Sequence, residues 1–92
     1  MGVLADTITS AAQISLQSQF NILKIILTNK GVGNNTVQIY LSTGSKNIWL
    51  APYNMLLGVG EGYQDEDIQI QSGESINIVP TDTLDYYILT DQ

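Results

Sequence analysis

The run Phe20-Asn21-Ile22-Leu23-Lys24-Ile25-Ile26-Leu27-Thr28-Asn29 constrains the fold of this chain more than any other stretch. It is the longest apolar run, and it stops at a turn-rich tract, Asn29-Lys30-Gly31-Val32-Gly33-Asn34-Asn35. Its dominance by β-branched and long aliphatic residues favours a strand over a helix. With a period of two, Leu23, Ile25 and Leu27 fall on one face. Phe20, Ile22 and Ile26 fall on the other, interrupted by Lys24. The run is expected to be a strand near the middle of a sheet, buried on one face and partly on the second.

The remaining segments read as shorter strands around it. Ile14 and Leu16 alternate with Ser15 and Gln17, while residues 1–12 read equally as an N-terminal strand or an exposed arm. In Thr36–Ser42, Val37, Ile39 and Leu41 should point inward and Gln38 and Tyr40 outward. Thr43–Lys46 is a turn, and Asn47–Ala51 a strand that Pro52 ends because proline cannot donate to a ladder. Residues 54–64 read as a strand with Gly58, Gly60 and Gly62 at alternate positions, which implies a bulge, a bend or another backbone packed very close. Asp65-Glu66-Asp67 is an acidic turn, and residues 68–71 and 75–79 form a hairpin around Ser72-Gly73-Glu74. Pro80–Thr83 is the last loop, and Asp85–Thr90 the last strand. The expected fold is all-β: a single β-sandwich domain over residues 13–92, with seven or eight short antiparallel strands of jelly-roll or immunoglobulin-like type.

Composition then narrows function. A chain of 92 residues makes one domain with a thin stability margin, so a homo-oligomer is expected. It contains neither cysteine nor histidine, which removes the usual thiolate nucleophile, the commonest general base and the commonest metal ligands. Lys24, Lys30 and Lys46 are its only cationic side chains against nine acidic ones, a formal net charge of −6. Nucleic acid and anionic membrane surfaces need more cations than this, so a basic protein surface is the expected partner. No apolar run approaches the roughly 20 residues needed to span a bilayer. The N-terminus lacks a signal-peptide pattern, and the chain is expected to be made in a cytoplasm and to stay soluble.

Candidate sites are sparse. Glu61, Asp65, Glu66 and Asp67 are the only carboxylate cluster, and they lack the glycine and distal glutamate of a calcium loop. A solvated turn explains them. Gly58-Val59-Gly60-Glu61-Gly62 has alternate glycines, but no helix follows to complete a phosphate cradle. Lys24 reads as a strand-face lysine reaching to solvent. Asn34-Asn35-Thr36 matches a glycosylation sequon and reads as a loop. No nucleophile can be activated by these residues, so no catalytic, cofactor-binding or metal residue is assigned and an enzyme is not expected. Trp49 reads as a core filler with tyrosines capping the rim; the alternative is an exposed platform of Trp49 with Tyr53 and Tyr63.

Taken in succession, Ile25–Asn29, Val37–Leu41, Ile48–Pro52, Gly62-Tyr63, Ile68–Ile70, Ser72–Ile76 and Asp85–Leu89 resemble small virion proteins of tailed bacteriophages, in which such turns join short sandwich strands. The resemblance covers nearly the whole chain. It implies a capsid cement or decoration protein, located on the capsid surface of a virion and made in the host cytoplasm. The implied partner is the major capsid protein or another virion protein, with a homotrimer as the favoured assembly. A neck or tail component, or a receptor- or carbohydrate-binding sandwich, is the alternative. On this reading the partner-binding residues are Val3, Leu4 and Ile8 in the N-terminal segment and Trp49, Tyr53, Met55 and Tyr63 on the rim.

Overall fold

The computed structural model describes residues 2–15 and 19–91; Leu16 and Gln17 of the expected early strand lie outside the described residues. The described residues form nine strands: β1 (Gly2–Ile8), β2 (Ala12–Ile14), β3 (Phe20–Asn29), β4 (Asn35–Ser42), β5 (Asn47–Trp49), β6 (Met55–Leu57), β7 (Gly62–Ile70), β8 (Ser75–Val79) and β9 (Leu84–Thr90). They build two antiparallel sheets, and the chain is all-β. The first sheet has the order β1-β9-β3-β7. The second has the order β2-β8-β4-β5, with β6 also paired to β4. Except for β5 and β6, which follow β4 within the second sheet, every connection passes from one sheet to the other.

The long apolar run does lie inside a sheet, between β9 and β7. Its two faces, however, differ from a plain period of two. Ile22 pairs with Thr90 and Lys24 with Leu89, so Leu23 is an extra residue that bulges the strand. The bulge flips the alternation. Phe20 and Ile22 before it, and Ile25, Leu27 and Asn29 after it, therefore all point to the core. On the other side β7 bulges at the matching place. Ile22 pairs with Ile68 and Lys24 with Glu66, which leaves Asp67 opposite Leu23, in a left-handed backbone conformation at φ 57°. Both strands change phase together, so Tyr63 and Asp65 face inward before the bulge, as Ile68 and Ile70 do after it.

One hydrophobic cluster joins the sheets. Ile22, Ile25, Leu27, Ile70, Leu84 and Ile88 of the first sheet pack with Val37, Ile39, Ile76 and Ile78 of the second, all essentially without solvent contact. Burying each such aliphatic side chain stabilises the fold by about 1.5–3 kcal/mol. Val37, Ile39 and Leu41 point inward and Gln38 and Tyr40 outward, as their alternation predicts. The Thr43–Lys46 turn is closed by the Thr43 N–H donating to the Lys46 carbonyl at 2.9 Å.

Three expected elements are different. Asp65-Glu66-Asp67 lies within β7 rather than in a turn. Residues 54–64 are not one strand: β6 ends at Leu57, and a turn through Gly58 and Gly60 precedes β7. Strands β7 and β8 do not form a hairpin, because they belong to different sheets. Their alternation is that of half-buried strands generally and carries no information about which neighbour each will take.

A polar knot holds one end of the molecule. Asn29 and Asn35 are buried. The Asn29 side-chain amide donates to the carbonyls of Gly33, Leu57 and Gly58 at 2.9–3.1 Å and accepts from the Gly31 N–H. Asn35 donates to the carbonyls of Asp82 and Thr83 and accepts from the N–H groups of Thr81 and Asp82. Together they satisfy the backbone of three loops that would otherwise be left unpaired. Asn35, read from the sequence as part of a loop sequon, is thus the buried first residue of β4.

Candidate functional site

Each sheet turns one face to the core and one away from it, and the two outer faces differ in chemistry. On the first sheet, alternation puts Val3, Ala5 and Thr7 of β1 on the outer face opposite Leu89, Tyr87 and Asp85 of β9. The rows continue into β3, where Tyr87 meets Ile26, Leu89 meets Lys24 and Asp85 meets Thr28. They end on β7, with Gln64 beside Ile26 and Glu66 beside Lys24. Val3, Ala5, Tyr87, Ile26 and Leu89 therefore form an apolar band over three strands, and Val3 keeps 54% of its surface in solvent. Charges border it: Lys24, Glu66 and Asp85 share the face, and Lys30 approaches Asp85 at 3.9 Å. Beyond Ile26 the band runs into a groove of about 330 Å³ lined by Ile26, Thr28, Gly60, Gly62 and Gln64. Gly62, which lines the groove, also lets β3 approach closely: a Cβ there would lie 2.7 Å from the Leu27 carbonyl oxygen.

The outer face of the second sheet carries one row across four of its five strands. Trp49 pairs with Tyr40, Tyr40 with Asn77, and Asn77 with Gln13. Ring contacts extend the row at its aromatic end. Tyr40 and Trp49 lie edge-to-face at 4.7 Å between centroids, and Trp49 and Tyr53 at 4.8 Å. Next to them the Gln38 side-chain amide donates to Asn54 Oδ1 at 2.7 Å, with Asn54 held in a left-handed conformation at φ 55°. At the other end Gln13 and Asn77 both donate to Ser75 Oγ. No strand of this sheet carries a charged residue.

The residues singled out from sequence separate accordingly. Val3 is exposed on the first sheet's band, whereas Leu4 and Ile8, one step out of phase, pack inward against the core. Gly2–Ile8 forms an edge strand paired along its whole length with β9, so these residues are not a free arm. Trp49 is not a core residue: it is 39% exposed, and Tyr53 beside it is 62% exposed. Met55 points inward opposite Val37 and packs on the core. Tyr63 does not join Trp49 and Tyr53; it lies on the first sheet, half-buried, with its hydroxyl 2.7 Å from the Leu50 carbonyl and 3.1 Å from Asp65 Oδ2. Burial pushes its pKa up to about 12, assisted by the hydrogen bond to Asp65 and the negative charge of that carboxylate. Of the seven, Trp49 and Tyr53 are brought into ring contact.

Tyr40, Gln38, Asn54, Asn77 and Tyr87 are the surface residues that sequence reasoning left out. Outward alternation marks Gln38 and Tyr40, but their neighbours in space follow only from strand order. The acidic set does not converge. Glu61 accepts from the Gly58 N–H, Asp65 turns inward to Tyr63, and Glu66 faces outward. Among the described residues no group of three or more acidic side chains is placed to hold a metal ion. No protein-family model, curated protein or solved structure matches this chain.

Proposed function

We propose that the chain is a non-enzymatic structural protein of a virion, a capsid decoration protein that docks on the head lattice through the outer face of its first sheet. The carrying observation is the apolar band of Val3, Ala5, Tyr87, Ile26 and Leu89, continuous with the groove over Gly62 and bordered by charge. An aliphatic band that the fold does not use internally fits a protein partner, whose apolar side chains fill such a groove while polar groups settle at its rim. The charges that border the band balance, Lys24 and Lys30 against Glu66 and Asp85, so it is the net charge of −6 of the whole chain that favours a basic partner surface.

The strand order supports the same reading. If β5 and β6 count as one interrupted strand, orders β1-β9-β3-β7 and β2-β8-β4-β5 are those of an eight-stranded jelly roll, an architecture common among capsid and lectin domains. An immunoglobulin-like sandwich would instead pair its first two strands, which here lie in different sheets. The open edge of β1, which offers a neighbouring copy a strand to extend, supports self-assembly, for which we favour a homotrimer; the opposite edge, β7, is guarded by Asp65, Glu66 and Asp67.

Co-sedimentation with assembled phage heads tests this directly. The chain should pellet with heads, come off as salt is raised, and stay in the supernatant when Tyr87→Lys breaks the band. Light scattering across a dilution series should give a trimer. A monomeric chain that never pellets with heads contradicts the proposal.

A further inference from the structure

The decoration reading leaves the second sheet's outer face without a role, and that face is the most unusual surface of the molecule. A chain of net charge −6 has kept every strand of one sheet free of charge while exposing its single tryptophan there. Solubility is maintained by amides and hydroxyls instead: Gln13, Gln38, Ser42 and Asn77 all face outward. These groups carry both donors and acceptors. Gln38 gives its amide hydrogen to Asn54 Oδ1, which leaves Gln38 Oε1 and Asn54 Nδ2 free of partners among the described residues, side by side next to the rings.

We propose that this face is a binding site for a neutral polysaccharide, with pyranose rings stacked on Trp49 and Tyr53 and their hydroxyls bonded by Gln38, Asn54 and Asn77. The match is chemical on each count. A pyranose presents a C–H face that packs on an aromatic ring and a rim of hydroxyls that both donate and accept, as the amides do. The row from Trp49 to Gln13 crosses four strands, about 14 Å at a spacing near 4.8 Å per strand, room for a short run of sugar units in an extended chain. Charge selects for neutrality. A polyanion meets an acidic protein and finds no cation among these strands; a polycation finds no carboxylate there. A protein partner is the less suited occupant, since the centre of the face is amide and aromatic rather than aliphatic, and Leu56 and Val79 stand toward one end. The proposal is independent of the decoration reading, which uses the other sheet.

Affinity electrophoresis of the intact chain through gels containing a soluble β-glucan, a galactomannan or dextran tests it, with alginate and a soluble chitosan as charged controls. Trp49 reports binding as well, being the sole tryptophan. At least one neutral polymer should retard the chain and shift Trp49 emission, and the charged polymers should do neither. Trp49→Ala should abolish retardation, and Gln38→Ala should weaken it about fivefold, as expected for one lost hydrogen bond. Tyr87→Ser on the opposite sheet should bind as the parent does. Tyr53→Ala, at the more exposed ring, supplies a second variant should Trp49→Ala perturb folding. Failure of all three neutral polymers to retard the chain would overturn the proposal. So would equal retardation by a charged polymer, or unaltered binding in both aromatic variants. Loss of head binding in Trp49→Ala, with no response to any neutral polymer, would assign the face to a protein instead.

Discussion

The two sheets share one core yet solve the problem of facing water differently. The first carries all the charged strand residues, Asp6, Lys24, Asp65, Glu66, Asp67 and Asp85, and places an aliphatic band among them. The second carries none and covers itself with amides, hydroxyls and three packed rings. A sheet that needs only to stay soluble can do so most simply with charge, at little structural cost. Each departure from that default, the band on one sheet and the uncharged aromatic row on the other, is the observation on which the proposal for that surface rests. The difference also separates the proposed partners: an apolar protein surface for one sheet, a neutral, hydroxyl-rich polymer for the other.

That contrast presupposes that the sheets stand or fall together, and the largest predicted effect tests it. Asn29 sits in the first sheet but bonds the Leu57 and Gly58 carbonyls at the end of β6 in the second. Asn29→Ala should cost about 3 kcal/mol, since it strands several buried backbone groups, and chemical denaturation should still show one transition for both sheets. Two separate transitions would mean that the sheets are independent units. Next in size, Gly62→Ala should cost about 2 kcal/mol by pressing a methyl group onto the Leu27 carbonyl, and should shift the groove wall that both residues form. Retained head binding at full strength in that variant would remove the groove from the docking surface.

The hydroxyl of Tyr63 is a second tie between sheets, reaching Leu50 just beyond β5. Its pKa is raised from 10.0 to about 12 in the folded chain, so its contribution is intact below pH 10 and is lost as pH rises toward 12. Thermal melts should show stability falling across that window, and Tyr63→Phe should flatten the fall while costing about 1 kcal/mol at neutral pH. The smallest effect belongs to the outer band: Tyr87→Ser should change stability by no more than about 0.5 kcal/mol, so that any loss of head binding reflects docking alone.

Much of this was legible in the residues, and the failures have definite causes. The run Phe20–Asn29 identifies an interior strand because β-branched and long aliphatic residues dominate it despite Lys24, and β4 declares its faces by strict alternation. The face assignment within β3 failed at Leu23, since a bulge changes phase without changing composition. The acidic triplet read as a turn because charge is rare in strands; here β7 lies at a sheet edge, where carboxylates meet solvent and discourage further pairing. Trp49 read as core by size alone, whereas its rings are satisfied by Tyr40 and Tyr53 rather than by the interior. Asn29 and Asn35 read as loop residues beside glycines, and only the closure of three loops at one end makes them buried. The absence of charge from one sheet was present in the sequence throughout, but it acquires meaning only after strand order divides the strands between sheets.

Collisional quenching of Trp49 tests the central contrast most directly, because that one indole lies in the uncharged face. Red-shifted emission, strong quenching by acrylamide, and similar quenching by iodide and caesium at ~0.15 M ionic strength, where distant charges are screened, are the predicted result. Weak quenching by acrylamide would return Trp49 to the core, and caesium far outperforming iodide would place carboxylates around it; either would contradict an exposed, uncharged aromatic face.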